Sequence, residues 1–177
     1  MDNQATRSKY LSMLLRHKPE KANLHLDREG WCSVAELFTN TDFKAEELYA
    51  IVHSDDKQRY ALSADKLKIR ANQGHSTSDV RMTFKSVVPP PVLYHGADDG
   101  FIEIIFKKGL LPIKRHHVHL SATVDVAEAV GGRRKRGYRV LEVDAARMIA
   151  DGLKFYISEN GVYLADHVPP QYLKEHA

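Results

Sequence analysis

The chain has little cysteine and no long apolar segment. Its 177 residues include one cysteine, Cys32, which excludes an internal disulfide framework and a cysteine-based zinc site. No run approaches the 18 apolar residues that a membrane helix needs, and the first ten residues, MDNQATRSKY, contain no apolar signal-peptide core. We therefore expect a cytoplasmic protein without a membrane partner.

Several familiar catalytic and nucleotide-binding motifs are also absent. The sequence contains neither GxGxxG nor GxxxxGK[ST], so a nucleotide would have to be held by a route other than a Rossmann turn or a P-loop. The patterns HExxH and CxxC are missing, and so is the GxSxG elbow of α/β-hydrolases. We expect no metal site.

The charge of the chain is close to balanced. Lysine and arginine total 26 against 23 acidic residues, and 43% of the residues are hydrophobic, which is close to the average for a soluble globular protein. Residues 1–88 carry 14 basic and 12 acidic side chains, and residues 89–177 carry 12 and 11, so neither half is a basic nucleic-acid arm. The dense cluster RRKR at 133–136, followed by Arg139, is either a solvated loop or a phosphate contact.

The first part of the chain predicts three helices followed by a hairpin. Leucines recur at i, i+3 and i+4 within residues 8–17, a capping box at Ser33 opens a second helix, and a third follows near Thr41. The alternating segments RYALS at 59–63 and LKIRA at 67–71 are typical of two paired strands. Three helices and a two-stranded wing, in this order, indicate a winged helix.

A composition shift marks the boundary between two predicted domains. A stretch rich in Gly, Ser, Asn and Asp at 72–79 leads to three consecutive prolines at 89–91. We place the boundary after Val88, which gives an N-terminal domain of residues 1–88 and a C-terminal domain of residues 89–177.

The second part is richer in strands than in helices. The segments VLYHG, HVHLS and RVLEVD have strand character, and FYIS and VYLA flank Asn160-Gly161, a strong hairpin signal. Short helices intervene, one of them closed by Gly109. The predicted class of the whole chain is α+β, with antiparallel-rich sheets in the second part.

Basic residues of the first part form one candidate site. Arg16 and His17 lie at the predicted C-terminus of the first helix, where cations also compensate the helix dipole. Arg59 lies just before the wing, Arg70 lies in its second predicted strand, and His75 follows it. If several of these side chains converge, they make a phosphate site, because the planar guanidinium binds phosphate through two parallel hydrogen bonds. Spacing alone leaves both interpretations open.

Two histidines at strand ends form a second candidate site. His95 and His119 each end an apolar segment and are followed by a small or hydroxyl residue within two positions. A zinc site needs a third nearby ligand that no motif supplies, which leaves structural histidines and ligand-binding histidines as the alternatives.

An ordered set of segments resembles a known family. LSMLLRHKP, Gly30-Trp31, KQRYAL, KIRANQGHS, LYHG, RHHVHLS, LEVDA and NGVYLADHVPPQYL occur in the same order as in the RNA 2'-phosphotransferase family of the tRNA splicing type. The resemblance covers nearly the whole chain. It implies an N-terminal winged-helix lobe and a C-terminal lobe of the NAD-dependent ADP-ribosyltransferase fold.

The resemblance also implies an activity and its partners. The internal 2'-phosphate of an RNA, such as a tRNA, is transferred to NAD through an ADP-ribosylated RNA intermediate. The products are RNA with a free 2'-hydroxyl, nicotinamide and ADP-ribose 1'',2''-cyclic phosphate. NAD is therefore a co-substrate, the partner is an RNA that carries a 2'-phosphate, and we expect a monomer.

The family's site residues can be carried over by motif. Its phosphate-handling tetrad falls on Arg16, His17, Arg59 and Arg133. Its loop usually reads VGxRHG, and VGGRRKRG here is longer and lacks the histidine, so Arg134 is the alternative to Arg133. The positions that cradle NAD are His95, Gly96, His119, Leu120, Ser121 and Val162.

Two other functions remain open at this point. One is a winged-helix regulator that contacts nucleic-acid phosphates without turnover. The other is an ADP-ribosyltransferase that stops after the first step, in which case the Arg and His set would be superfluous.

Overall fold

The chain divides into two compact units. The computed structural model describes residues 2–132 and 137–177, and the units are Met1–Thr83 and Phe84–Ala177. The division comes earlier than the predicted boundary after Val88, because Lys85–Val87 form a strand that pairs with Phe155–Ile157 inside the second unit. The predicted α+β class is confirmed, since both units combine helices with antiparallel sheets.

The first unit contains three helices and a three-stranded sheet of order β1-β3-β2. The helices are α1 (Asp2–Arg16), α2 (Val34–Asn40) and α3 (Ala45–His53), and the strands are β1 (Cys32–Ser33), β2 (Tyr60–Leu62) and β3 (Lys68–Ala71). The predicted hairpin is confirmed by antiparallel pairing of β2 with β3, and β1 adds a strand on the other side of β3.

The core of the first unit follows the predicted leucine pattern. Leu11, Leu14 and Leu15 are fully buried, together with Leu48 of α3. Cys32 is also buried in this core, and burial raises the pKa of its thiol to about 12. The single cysteine is therefore a packing residue.

Helix α1 begins earlier than its apolar pattern predicts. The pattern starts at Ser8, whereas the helix starts at Asp2. Arg7 explains part of the extension, since its Nε lies 2.6 Å from Glu47 Oε1 and its Nη1 2.7 Å from Asp42 Oδ1. These tertiary ion pairs hold a polar helical turn that has no apolar stripe of its own.

The predicted capping box at Ser33 is half present. Ser33 Oγ accepts a hydrogen bond from Glu36 N at 3.3 Å, as the motif requires. The Glu36 carboxylate instead accepts hydrogen bonds from His25 N at 3.1 Å and from the His25 ring. The contact with His25 thus takes the place of the bond between Glu36 and Ser33 N that a full capping box would have.

Among its described residues, the second unit contains two antiparallel sheets, of orders β10-β7-β5 and β4-β8-β9-β6, and three α-helices. The strands are β4 (Lys85–Val87), β5 (Val92–Asp98), β6 (Val118–Leu120), β7 (Tyr138–Asp144), β8 (Phe155–Ile157), β9 (Tyr163–Ala165) and β10 (Leu173–Glu175); the helices are α4 (Ile102–Lys108), α5 (Val124–Gly131) and α6 (Ala145–Ala150). The hairpin predicted around Asn160-Gly161 is confirmed by the pairing of β8 with β9.

The two sheets of the second unit are joined between β5 and the end of β6. Tyr94 N donates to Ser121 O at 2.9 Å, and Ser121 N donates to Tyr94 O at 2.8 Å. This junction matters for the candidate site because His95 follows Tyr94 directly. Among the described residues, none of the helices has the length and apolar character required to cross a bilayer.

Candidate functional site

Arg16 and His17 are brought together with the loop that follows β3. Arg16 ends α1 and is 8% exposed, whereas His17 is exposed. Ser76 contacts both residues: its N donates to Arg16 O at 2.9 Å, and its Oγ lies 2.9 Å from His17 Nδ1. One serine thus anchors the loop to the C-terminal end of α1 and orients the His17 ring.

The main chain of Arg59 contacts the start of the same loop. Its carbonyl accepts a hydrogen bond from Asn72 N at 2.9 Å. The neighbouring Tyr60 is buried, which raises its pKa, and its hydrogen bond with Ser8 and then the positive charge of Arg16 oppose that rise. The structure brings Arg16, His17 and Arg59 to one segment, residues 72–76.

The Arg59 side chain is held by a carboxylate. The Asp55 side chain is only 5% exposed and pairs with Arg59 Nη1. The same carboxylate accepts a hydrogen bond from Arg59 N at 2.5 Å. The guanidinium is therefore oriented by its own loop.

Arg70 and His75 have structural partners near the Gly30-Trp31 pair. The Arg70 guanidinium carbon lies 4.4 Å from the centre of the Trp31 ring, a stacking arrangement that stabilises buried arginine. His75 is 4% exposed, and a Cβ on Gly30 would lie 2.8 Å from its Nε2. These contacts explain why the sequence has glycine and tryptophan at this turn.

A cleft of about 530 Å³ opens beside His17. It is lined by His17, Pro19, Glu20, Asn23, Leu24, His25, Thr77, Ser78 and Asp79. This lining includes two carboxylates and neither lysine nor arginine, so it suits a polar, uncharged group better than an anion.

His95 and His119 form a chain of hydrogen bonds in the second unit. His95 Nδ1 lies 3.0 Å from His119 O, and His119 Nδ1 lies 3.0 Å from His117 O. A carbonyl oxygen can only accept, so each Nδ1 carries the proton and donates. These two bonds fix the orientation of both imidazole rings.

Leu120 and Ser121 directly follow His119 in the chain. Ser121 is bonded to β5 through Tyr94, and Leu120 pairs with Tyr163 of β9. Val162 directly precedes β9, and its O accepts a hydrogen bond from Ser158 N at 3.0 Å. The Leu120 side chain is 2% exposed and belongs to the core of the unit.

Gly96 is explained by packing. A Cβ at this position would lie 2.3 Å from Ala127 O and 2.8 Å from Gly131 N. Helix α5 thus rests directly on the backbone of β5. The glycine of the LYHG segment is required by this close approach.

Arg133 and its alternative Arg134 lie outside the described residues. Within residues 2–132 and 137–177, His, Cys, Asp and Glu form no group of three or more arranged to hold a metal ion.

Asp55 and Ser76 are the site residues that sequence reasoning missed. For Asp55 the available signal was its i,i+4 spacing to Arg59, which Asp56 next to it obscures. For Ser76 the signal was its place at the end of KIRANQGHS, 59 residues from its partner His17.

Comparisons with known proteins agree with the segments quoted above. A model of the RNA 2'-phosphotransferase, Tpt1 / KptA family matches residues 2–167. A protein of Fusobacterium nucleatum subsp. nucleatum named "Probable RNA 2'-phosphotransferase" is 42% identical over 179 residues, covering 98% of this chain and 99% of its own length. A protein of the same name from Acaryochloris marina is 48% identical over 173 residues, covering 95% of this chain and 94% of its own.

A third relative, from Rhizobium leguminosarum bv. trifolii and of the same printed name, is 46% identical over 174 residues, covering 96% of this chain and 93% of its own. The resemblance inferred from the sequence is thereby confirmed. The chain belongs to the RNA 2'-phosphotransferase, Tpt1 / KptA family.

Proposed function

We propose that the chain is an NAD-dependent RNA 2'-phosphotransferase, which removes an internal 2'-phosphate from RNA, tRNA included, with NAD as co-substrate. The observation that carries this proposal is that Arg16, His17 and Arg59 all contact one segment, residues 72–76, the two arginines through their carbonyls and His17 through its ring. Two guanidinium groups and an imidazole match the charge and shape of a phosphate. Family membership supports the same reaction.

The second unit supplies groups that suit the sugar of NAD. His95 and His119 are each held by a hydrogen bond from Nδ1, and Ser121 adds a hydroxyl at the junction of the two sheets. We assign His95, His119, Ser121 and the backbone near Val162 to NAD binding. Gly96 contributes by letting α5 support β5, and Leu120 by its place in the core.

In the first step an oxygen of the RNA 2'-phosphate attacks the ribose carbon that bears nicotinamide. The new C–O bond forms as the C–N bond breaks, and nicotinamide leaves with the electron pair as a neutral group. This departure needs no proton from the protein. The contribution of the residues is therefore to hold the phosphate and the ribose in line.

In the second step the ribose 2''-hydroxyl attacks the phosphorus, and the bond from phosphorus to the RNA 2'-oxygen breaks. Negative charge is spread over the equatorial phosphate oxygens, where Arg16 and Arg59 stabilise it. The hydroxyl loses a proton and the RNA 2'-oxygen gains one. We assign His17 to this proton transfer, because an imidazole can both accept and donate a proton and Ser76 fixes its ring.

The test is a single-turnover assay with NAD and a labelled oligonucleotide that carries an internal 2'-phosphate. Wild-type protein is expected to release nicotinamide and the cyclic phosphate. Arg16→Ala, His17→Ala and Arg59→Ala should slow the second step more than the first, so that ADP-ribosylated RNA accumulates. Lys18→Ala removes a neighbouring exposed cation and serves as the matched control.

The same assay examines the basic loop and the alternative functions. Arg133→Ala should cause accumulation and Arg134→Ala should not. If the wild-type product remains ADP-ribosylated RNA, the chain is a transferase that stops after the first step. Nucleic-acid binding that weakens steeply with salt, without NAD turnover, would identify a regulator. If every variant slows both steps to the same extent, the arginines only bind the substrate and do not act selectively in the second step.

A further inference from the structure

We propose that Asp55 is a positioning residue that sets the Arg59 guanidinium in place before the phosphate arrives. The proposal rests on the function proposed above and deepens it, because it names the group that prepares one of the phosphate ligands.

The Asp55 carboxylate is almost enclosed, with 5% of its side chain exposed. It contacts both the main-chain N and the guanidinium of Arg59. One oxygen accepts a hydrogen bond from Arg59 N at 2.5 Å. The other pairs with Arg59 Nη1 and also accepts from Lys57 N at 3.3 Å. Asp55 thus fixes the backbone from which Arg59 projects and the guanidinium itself.

The loop geometry requires this support. Gln58, the residue before Arg59, has a φ of 44°, and its N donates to Asp55 O at 2.7 Å. A non-glycine residue adopts this left-handed conformation at a cost that the surrounding contacts must offset. The Asp55 bonds close the loop and therefore determine where β2 and Arg59 begin.

The chemical consequence is preorganisation. Arginine has a long side chain that loses rotamer freedom when a ligand fixes it, and a partner that fixes it beforehand removes that cost from the reaction. The guanidinium has five N–H donors, and the Asp55 pair uses one nitrogen of the fork. Asp55 therefore orients the group and leaves it donors for phosphate oxygens.

Asp65, in the turn between β2 and β3, offers a control from the other end of β2. Its Oδ1 accepts hydrogen bonds from Ser63 Oγ at 2.5 Å and from Leu67 N at 3.0 Å. It closes a turn as Asp55 does, and an arginine is not among these partners. Asp65→Ala thus reports the effect of a lost turn contact in this hairpin, apart from any effect on Arg59.

The experiment compares single-turnover rates of the two steps for wild type, Asp55→Ala, Arg59→Ala, the double variant and Asp65→Ala. Asp55→Ala should slow the second step by about tenfold or more and accumulate ADP-ribosylated RNA, whereas Asp65→Ala should stay within about twofold of wild type. The double variant should be no slower than Arg59→Ala, because Asp55 acts through Arg59.

A second variant keeps the test decisive if Asp55→Ala unfolds, as checked by circular dichroism. Asp55→Asn retains an oxygen acceptor for Arg59 N and loses the charge, so a smaller accumulation is expected with the native fold. The positioning role is overturned if the double variant slows the second step by the product of the two single effects. It is also overturned if both Asp55 variants react at the wild-type rate. Absence of NAD turnover in wild-type protein instead overturns the proposed function, and the role of Asp55 with it.

Discussion

At the scale of single residues, Gly96 shows how one absent methyl group shapes the second unit. A Cβ there would overlap the backbone of α5 at Ala127 O, 2.3 Å away, and at Gly131 N, 2.8 Å away. Backbone atoms of a packed helix cannot rotate aside as a flexible side chain can. The position therefore sets how closely α5 approaches β5, next to His95.

Gly96→Ala is predicted to lower the free energy of unfolding by about 1–3 kcal/mol, the usual range for overpacking. Urea denaturation measures the effect. Gly132→Ala is the control, because its new Cβ would lie 3.1 Å from its nearest neighbour, Glu128 O, and its φ of −59° suits alanine. We expect that control to change stability by less than about 1 kcal/mol. Equal stability of Gly96→Ala and wild type would show that α5 can withdraw from β5.

At the scale of secondary-structure elements, strand β10 is fastened to β7 by a small ionic cluster. His176 Nδ1 lies 2.7 Å from Glu142 Oε1, and Lys174 Nζ lies 2.6 Å from Glu142 Oε2. The hydrogen bond from His176, followed by that from Lys174, lowers the pKa of the Glu142 carboxyl below its usual value. The cluster adds side-chain contacts to the main-chain pairing at the C-terminal end of the chain.

The sign of this pKa shift determines a pH dependence. A carboxyl whose pKa is lower in the folded chain stabilises the fold above its unfolded pKa, and that contribution disappears as the pH falls through its folded pKa. Glu142→Gln is therefore predicted to cost about 1 kcal/mol or less at pH 7, since its partners are partly exposed. The difference from wild type should shrink as the pH falls below the usual pKa range of a glutamate carboxyl. Denaturation curves between pH 7 and 3 measure it, and a constant difference over this range would contradict the assignment.

At the scale of the whole molecule, each unit has a hydrophobic core of its own and carries its own set of candidate residues. The first core gathers α1, α3 and the small sheet around Leu14 and Leu48, and the second surrounds β5 and β7 with Leu93 and Leu141. The phosphate candidates Arg16, His17 and Arg59 belong to the first unit, and the histidine chain belongs to the second. A mutation in the core of one unit is therefore expected to disturb the candidate residues of that unit more than those of the other.

The charge needed for phosphate chemistry comes, in this proposal, from the side chains themselves. Two arginines and a histidine gather in the first unit, and the residues that the structure describes offer no ligand group for a metal. Turnover is predicted to be unchanged when a chelator is added to the assay. Activity that is lost with the chelator and restored by a divalent ion would contradict this prediction, and adding the same ion to untreated protein is its control.

Local sequence patterns determined much of the molecule. The leucine spacing of α1, the hairpin between β2 and β3, the Asn160-Gly161 turn and the α+β class were predictable, because each depends on residues a few positions apart. Family motifs predicted Arg16, His17 and Arg59, which the structure brings to one loop. The early start of α1 was not predictable, since the Arg7 ion pairs come from distant acidic residues.

Only the tertiary structure decided which groups hold the candidate residues in place. The bond between His17 and Ser76 joins residues 59 positions apart, and the bond from His95 to His119 O spans 24 positions. Two adjacent aspartates precede Arg59, and the turn of the loop selects Asp55 rather than Asp56 as its partner. Such contacts depend on where the folded backbone brings distant segments together, which no short stretch of sequence specifies.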